Sequence, residues 1–410
     1  MTIFNRYLRL FKNRNFLLLI LIIFIGQLAS AFLVLSLISS VYEQTQSNFG
    51  VSGVILSFAI PGFLLMAFAG LAADIMDRKK IIMFAYIGLS LVVALILVSK
   101  QAVYASIPLS FVYFALNTFF IPASSASSAQ LVKKRDLLLA NSLFVFTLAG
   151  GIISGLFLAA VLHFFFGNNL TLIVCEAFLI TSVILCFFLP KLSPHGNKKV
   201  DLATTLKGIF SAFVYIFNQR KMWFFFLGFA FVQGIIVFGI TLAPGFFQTV
   251  VGLNIEKSPI FIFPLIGVGV LMGMFFIHRP YKNESYLVSL GIGLIGFSGL
   301  VLSLILFANI INSFFILLIP VGIFLVMIGF GTVVSLIAAR TALQKNVSHS
   351  FQGTVFGANI IFSSLFSALT SPAAATLHAF FGYLNLLMFA GIVLLIVSFA
   401  AWNISKQWNF

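Results

Sequence analysis

The chain has 410 residues, of which 61% are hydrophobic and only 8% charged, and its mean hydropathy is +1.18. A soluble domain carries about a quarter charged residues, so a water-soluble globular protein, a disordered chain and a disulfide scaffold are all excluded. Lys and Arg number 23 against 8 Asp and Glu, a net charge of +15, and because nearly everything between the charges is apolar, the excess reads as a membrane-orientation signal before it reads as a nucleic-acid surface.

A membrane-crossing helix needs about 20 mostly apolar residues. Twelve such runs follow one another, at about 16–41, 51–73, 81–99, 103–127, 140–163, 170–189, 222–248, 259–277, 286–308, 313–338, 353–378 and 383–403. Ahead of the first, Phe4, Tyr7, Leu8 and Phe11 make an apolar stripe among Arg6, Arg9 and Lys12, a segment suited to the membrane surface. The first run is too long for a signal-peptide core and further spans follow it, so it is not read as a cleaved leader. With the N-terminus inside, twenty-one Lys and Arg fall on inner segments and only Lys100 and Lys257 on outer ones. A missed or invented span would invert every later loop and erase that asymmetry.

The break at 191–221 holds Pro194, His195, Gly196 and the pair Lys198 and Lys199. It divides the chain into bundles of six spans, 1–190 and 222–410, with 191–221 as a cytoplasmic linker. Within it, after Asp201 as a helix cap, Leu202, Leu206, Ile209, Phe210, Phe213 and Phe217 recur at helical spacing beside Lys207, which predicts an amphipathic helix on the inner membrane face. The expected fold is an all-α membrane protein with twelve transmembrane helices in two six-helix bundles and both termini cytoplasmic. Cys175 and Cys186 stand about three helical turns apart, too far for a disulfide, and read as packing residues.

The loop after the second run reads Gly70-Leu71-Ala72-Ala73-Asp74-Ile75-Met76-Asp77-Arg78-Lys79-Lys80. Gly70 would let two helices approach closely. Asp74 lies at a helix–water boundary, able to meet a cation or a helix N-terminus, and Arg78 and Lys79 can reach carboxylates or helix C-termini. This loop resembles the signature loop of the major facilitator superfamily, roughly G-x-L-x-D-R-x-G-R-R-R, with Ile75 in place of a basic residue and Asp77 in place of the central glycine. The resemblance implies the two-bundle fold, transport by alternating access, and a cytoplasmic clamp between the halves that uses Asp74 and Arg78. The equivalent second-half loop keeps Gly273 and Lys282 but has Ile277 where the acid would stand, so the implied clamp is one-sided.

The fifth run carries Gly151, Gly155, Ala159 and Ala160. This spacing serves close helix packing, and it is similar to the antiporter motif of exporters in that superfamily, with Leu156 in place of its proline. Phe120-Ile121-Pro122-Ala123-Ser124-Ser125-Ala126 with Leu139-Ala140-Asn141, and Leu343-Gln344 with Gln352-Gly353-Thr354-Val355-Phe356-Gly357, look like the macrolide-efflux and siderophore-exporter branch. Ala140-Asn141-Ser142-Leu143-Phe144 is echoed by Ala358-Asn359-Ile360-Ile361-Phe362 in the equivalent span of the other half, consistent with internal duplication.

Of the eight acids, Glu176 alone falls inside a predicted span, about 10 Å from its outer end. A carboxylate there is costly unless it is protonated, paired or hydrated, which makes Glu176 the candidate for proton coupling. His163 and His378 stand at outer ends of spans and could share protons with it. Gln27, Asn117, Asn141, Gln233 and Asn359 are the candidate cavity-lining groups, since polar side chains in spans face the bundle interior. With no deep Lys or Arg, the cavity suits neutral, cationic or amphiphilic cargo.

No His, Asp, Cys or Ser constellation or phosphate-cradling loop appears, so no enzyme activity, metal or cofactor is expected. The sequon Asn169-Leu170-Thr171 falls in a very short outer turn, too cramped for glycosylation. The expected protein is a monomeric, multi-pass transporter of a bacterial inner membrane that exports amphiphilic small molecules in exchange for protons, with lipid and small-molecule partners and no nucleic acid. Its rivals are a lysolipid or lipid-like flippase of the same fold and, more remotely, a non-transporting membrane receptor or scaffold.

Overall fold

The structure is a computed structural model that describes residues 10, 12–133, 137–193, 202–254, 257–277, 284–309, 313–347 and 352–407. The amino-terminal stripe of Phe4, Tyr7, Leu8 and Phe11, the linker residues from Pro194 to Asp201, Glu256 and Lys282 lie outside them, as do the side chains of Asn141 and Thr354.

Among the described residues there are eleven α-helices. They are α1 (Arg14–Thr45), α2 (Asn48–Ile75), α3 (Arg78–Val98), α4 (Val103–Gln130), α5 (Leu137–Phe187), α6 (Leu202–Phe217), α7 (Arg220–Phe246, followed by a π turn at Phe247–Val251), α8 (Ser258–Ile277), α9 (Glu284–Phe307), α10 (Phe314–Asn346) and α11 (Gln352–Gln407). In hydrocarbon every backbone N–H and C=O must be satisfied within the segment, so an unbroken apolar run has little choice but helix. Ten of these helices are long and apolar enough to cross a membrane, all but α6.

Ten differs from the twelve separate spans expected, and two glycines account for the difference. The expected pairs 140–163 and 170–189, and 353–378 and 383–403, appear as continuous helices α5 and α11. Each is two helical stretches joined at one residue off the helical path, Gly167 (φ 75°) in α5 and Gly382 (φ 71°) in α11. A positive φ there is accessible to glycine at little cost, so the chain bends with almost no loop. A straight helix of the 51 residues in α5 would run about 77 Å, far beyond a hydrocarbon core of about 30 Å.

The chain divides into two compact units, residues 1–44 with 56–207 and residues 45–55 with 208–410, so the first turns of α2 are counted with the second unit. In the first, α1 buries Leu19, Ile22, Ile23, Phe32 and Leu33, and Tyr86 of α3 donates to Ile22 O across 3.1 Å. In the second, Phe225, Phe226, Val288, Ile292, Val334 and Ala338 form a core from α7, α9 and α10. Helix α6 packs on that core through Ala212 and Ile216, while Phe210 and Phe217 stay 69% and 59% exposed and Lys207 faces outward. The helix is therefore two-sided: one apolar face meets the core, and the other is exposed at Phe210 and partly covered at Phe217 by its stack on Trp223.

Candidate substrate and proton site

The second stretch of α5 carries Glu176 into the interior of the first unit, half-buried. Ser90 of α3 donates its hydroxyl to Glu176 Oε1. The other carboxyl oxygen, Oε2, is buried and accepts no hydrogen bond. In the same unit the buried Tyr113 of α4 pairs its Oη with Ser30 Oγ of α1 at 3.1 Å. Cys175 is also buried and donates to Ala29 O at 3.2 Å, and both cysteines are free. A carboxylate with one anchored oxygen and one buried, unpartnered oxygen is costly to keep charged.

The polar candidates divide between the units. Gln27 of α1 is buried, and Asn117 of α4 is half-buried in the same unit. Gln233 of α7 is half-buried in the second unit, and Asn359 of α11 is buried there, accepting from Ser363 Oγ at 3.2 Å with its Nδ2 unpartnered. His163 is buried in the first stretch of α5. His378 pairs with Asn48, not with Glu176: Asn48 Nδ2 lies 3.0 Å from His378 Nδ1 and donates to Tyr383 Oη at 2.9 Å. Beside it Ser52 Oγ donates to Ser371 O at 3.1 Å, and Thr241 Oγ1 meets Ser371 Oγ at 2.9 Å. Asn48 does not stand out in the sequence, where an Asn at a helix start looks like an ordinary cap.

The short loop between α2 and α3 works inside the first unit. Asp77 caps α3 by accepting from Lys79 N at 2.9 Å and also accepts from Leu192 N at 3.4 Å and Ser193 Oγ at 3.3 Å. Arg78 donates through Nε to Ala73 O and through Nη1 to Gln130 Oε1, both at 2.9 Å. Lys79 Nζ donates to Phe187 O at 2.9 Å, and to Leu189 O, closing the C-terminus of α5. Asp74 is exposed. At Gly70 a Cβ would meet nothing within 4 Å. Close helix approach is found at Gly151 and Gly155, which lie against α1. A Cβ at Gly151 would sit 2.6 Å from Gln27 Cβ, and one at Gly155 2.7 Å from Ala31 Cβ. Ala159 is fully buried on the same helix.

At the far end of this unit a chain of amides links three elements. Ser36 Oγ donates to Asn168 Oδ1 at 2.6 Å, Asn168 Nδ2 to Gln101 Oε1, and Gln101 Nε2 to Asn169 Oδ1. The sequon asparagine is thus engaged in packing. Among the described residues no three His, Cys, Asp or Glu are grouped to hold a metal ion.

A profile of the Major Facilitator Superfamily matches residues 16–371. Solved structures align over nearly the whole chain at low identity. A mutant of the nucleoside transporter NupG is 14% identical with a TM-score of 0.72, covering 95% of this chain and 100% of that one. A POT family transporter in complex with 5-aminolevulinic acid is 10% identical with a TM-score of 0.77, covering 97% of each chain. A bacterial homolog of the human lysosomal transporter Spinster, in an inward-facing and unoccupied conformation, is 15% identical with a TM-score of 0.68, covering 95% and 96%. At such identities the likeness is one of fold. No curated protein sequence matches the chain.

Proposed function

Because the chain belongs to the Major Facilitator Superfamily, we propose that it is a secondary active transporter exporting amphiphilic small molecules in exchange for protons. The observation that carries the reading is Glu176, held at Oε1 by Ser90 and bare at the buried Oε2. Such a carboxyl can alternate between a proton and a cationic cargo without rebuilding its surroundings, which is what exchange by alternating access requires. Twelve crossings with both termini cytoplasmic remain the topology of this proposal, supported by the glycine bends in α5 and α11 and by the crowding of basic residues on alternate loops. The residues of the α2–α3 loop and of the Gly151–Gly155 face are assigned to cytoplasmic closure and to helix packing, and the macrolide-efflux and siderophore-exporter branch in a bacterial inner membrane is the proposed home.

The test is accumulation of a panel of neutral, cationic and anionic amphiphiles by cells with and without the protein. Lower accumulation of the cationic and neutral compounds, reversed by a protonophore, is expected. Greater accumulation, or export indifferent to the protonophore, would contradict proton-driven export.

A further inference from the structure

Helices α8 and α10 touch most closely at two glycines. A Cβ at Gly269 would run into Val326 O, and one at Gly329 into Ile266 O. Toward their amino-terminal ends the helices part and leave a cavity of about 390 Å³ open at the surface. Phe261 and Leu265 of α8 line one wall, and Leu318, Gly322, Val326 and Met327 of α10 line the other. The walls pair in the same order along both helices, so α8 and α10 run in the same direction and begin at the same end.

We infer that this cleft seats one acyl chain of an anionic phospholipid, with Lys257 at its headgroup. Three features select that occupant. Every lining residue is apolar and both helices have the length and composition to cross a membrane, so a polar occupant has nothing to bond. From Leu318 to Met327 the wall is about 14 Å long, close to half a hydrocarbon core of about 30 Å, which matches a chain from one leaflet. The volume stands at the low end of ligand pockets, about 300–1,000 Å³, so it takes one chain and not a bulky ring system. The headgroup argument is charge. Lys257 is exposed one residue before α8 begins, and about one turn before Phe261. The cap of α10, Ser313, makes no side-chain bond to its own helix, and both helices bring the positive ends of their dipoles to the mouth of the cleft.

Gly322 offers a clean way to fill the cleft. A Cβ there would meet only Leu265 Cδ1 at 3.5 Å and Phe261 Cζ at 4.0 Å, so Gly322→Leu grows into the space without pressing on backbone. Gly267, where a Cβ meets nothing within 4 Å, is the control. Native mass spectrometry of the full chain in detergent, titrated with phosphatidylglycerol or phosphatidylcholine of equal chain length, reads the result. The wild type is expected to retain one phosphatidylglycerol per chain in preference to phosphatidylcholine. Gly322→Leu should weaken both about tenfold, Gly267→Leu neither, and Lys257→Gln should remove the preference between headgroups. Met327→Trp fills the same space if Gly322→Leu fails to fold. Retention unchanged when the cleft is filled overturns the site, a headgroup preference that survives Lys257→Gln overturns the role of Lys257, and a dimer lost on filling the cleft would give the groove to a second copy of the chain.

Discussion

The two units are held together by different means. In the first, besides the Gly151 and Gly155 approach to α1, elements meet through directed polar bonds: Ser90 to Glu176, Tyr113 with Ser30, Gln101 with Asn168 and Asn169, Arg78 to Gln130. In the second, the closest contacts are bare backbone on backbone, at Gly269 and Gly329 between α8 and α10 and at Gly291 and Gly331 between α9 and α10. Lipid tails offer no hydrophobic drive for helices to associate, so a bundle needs either close van der Waals contact or hydrogen bonds. The first unit spends part of its interior on titratable and hydrogen-bonding groups, Glu176 and Tyr113 among them. The second uses glycine to pack, with polar bonds where the start of α2 meets α11 and from Ser335 and Ser398 to backbone carbonyls of α9.

If that division is right, adding bulk should damage the second unit most. Gly269→Val drives a branched side chain into Val326 O and is expected to cost about 1–3 kcal/mol or more, read as a lower unfolding temperature or loss of the monodisperse species on fluorescence-detected size exclusion. Gly155→Val, which presses first on the Ala31 methyl, should cost less. Polar losses come next. Asp77→Ala removes the cap of α3 and the bonds to Leu192 and Ser193, about 1 kcal/mol, and should lower the melting temperature. Asn48→Ala, which takes away two interhelical bonds, should cost about 1 kcal/mol, and Tyr383→Phe about half of that. Gly70→Ala comes last: with open space around it, melting should stay where it is or rise slightly. A large loss there would restore the tight approach that the signature loop suggested.

Much of the fold was readable because the bilayer imposes a single length scale. Runs of about 20 apolar residues can be counted, and the described helices follow the predicted limits closely at α3, α8 and α9. Gly167 and Gly382 were not readable as bends inside helices, since a glycine among Phe and Asn looks like any short turn. Glu176 could be found because it stands alone among apolar neighbours. Ser90 could not, because hydroxyls are scattered through most of the spans and only the packing of α3 on α5 chooses one. Asp77 reads as a departure from the family pattern, yet its partners lie more than a hundred residues along the chain at Leu192 and Ser193. Asn48 and His378 are 330 residues apart, a pairing that no local pattern carries.

The central claim is that protons pass through Glu176, and one comparison tests it most directly. Purified wild type and Glu176→Gln, reconstituted at equal density in vesicles with an imposed pH gradient, would be followed by the efflux of a fluorescent cationic amphiphile and by internal pH together. The wild type should move dye and protons in opposite directions. Glu176→Gln should fold with unchanged melting yet lose the response of dye flux to the gradient, by about tenfold or more. Gradient-driven flux that survives the substitution intact would contradict the account.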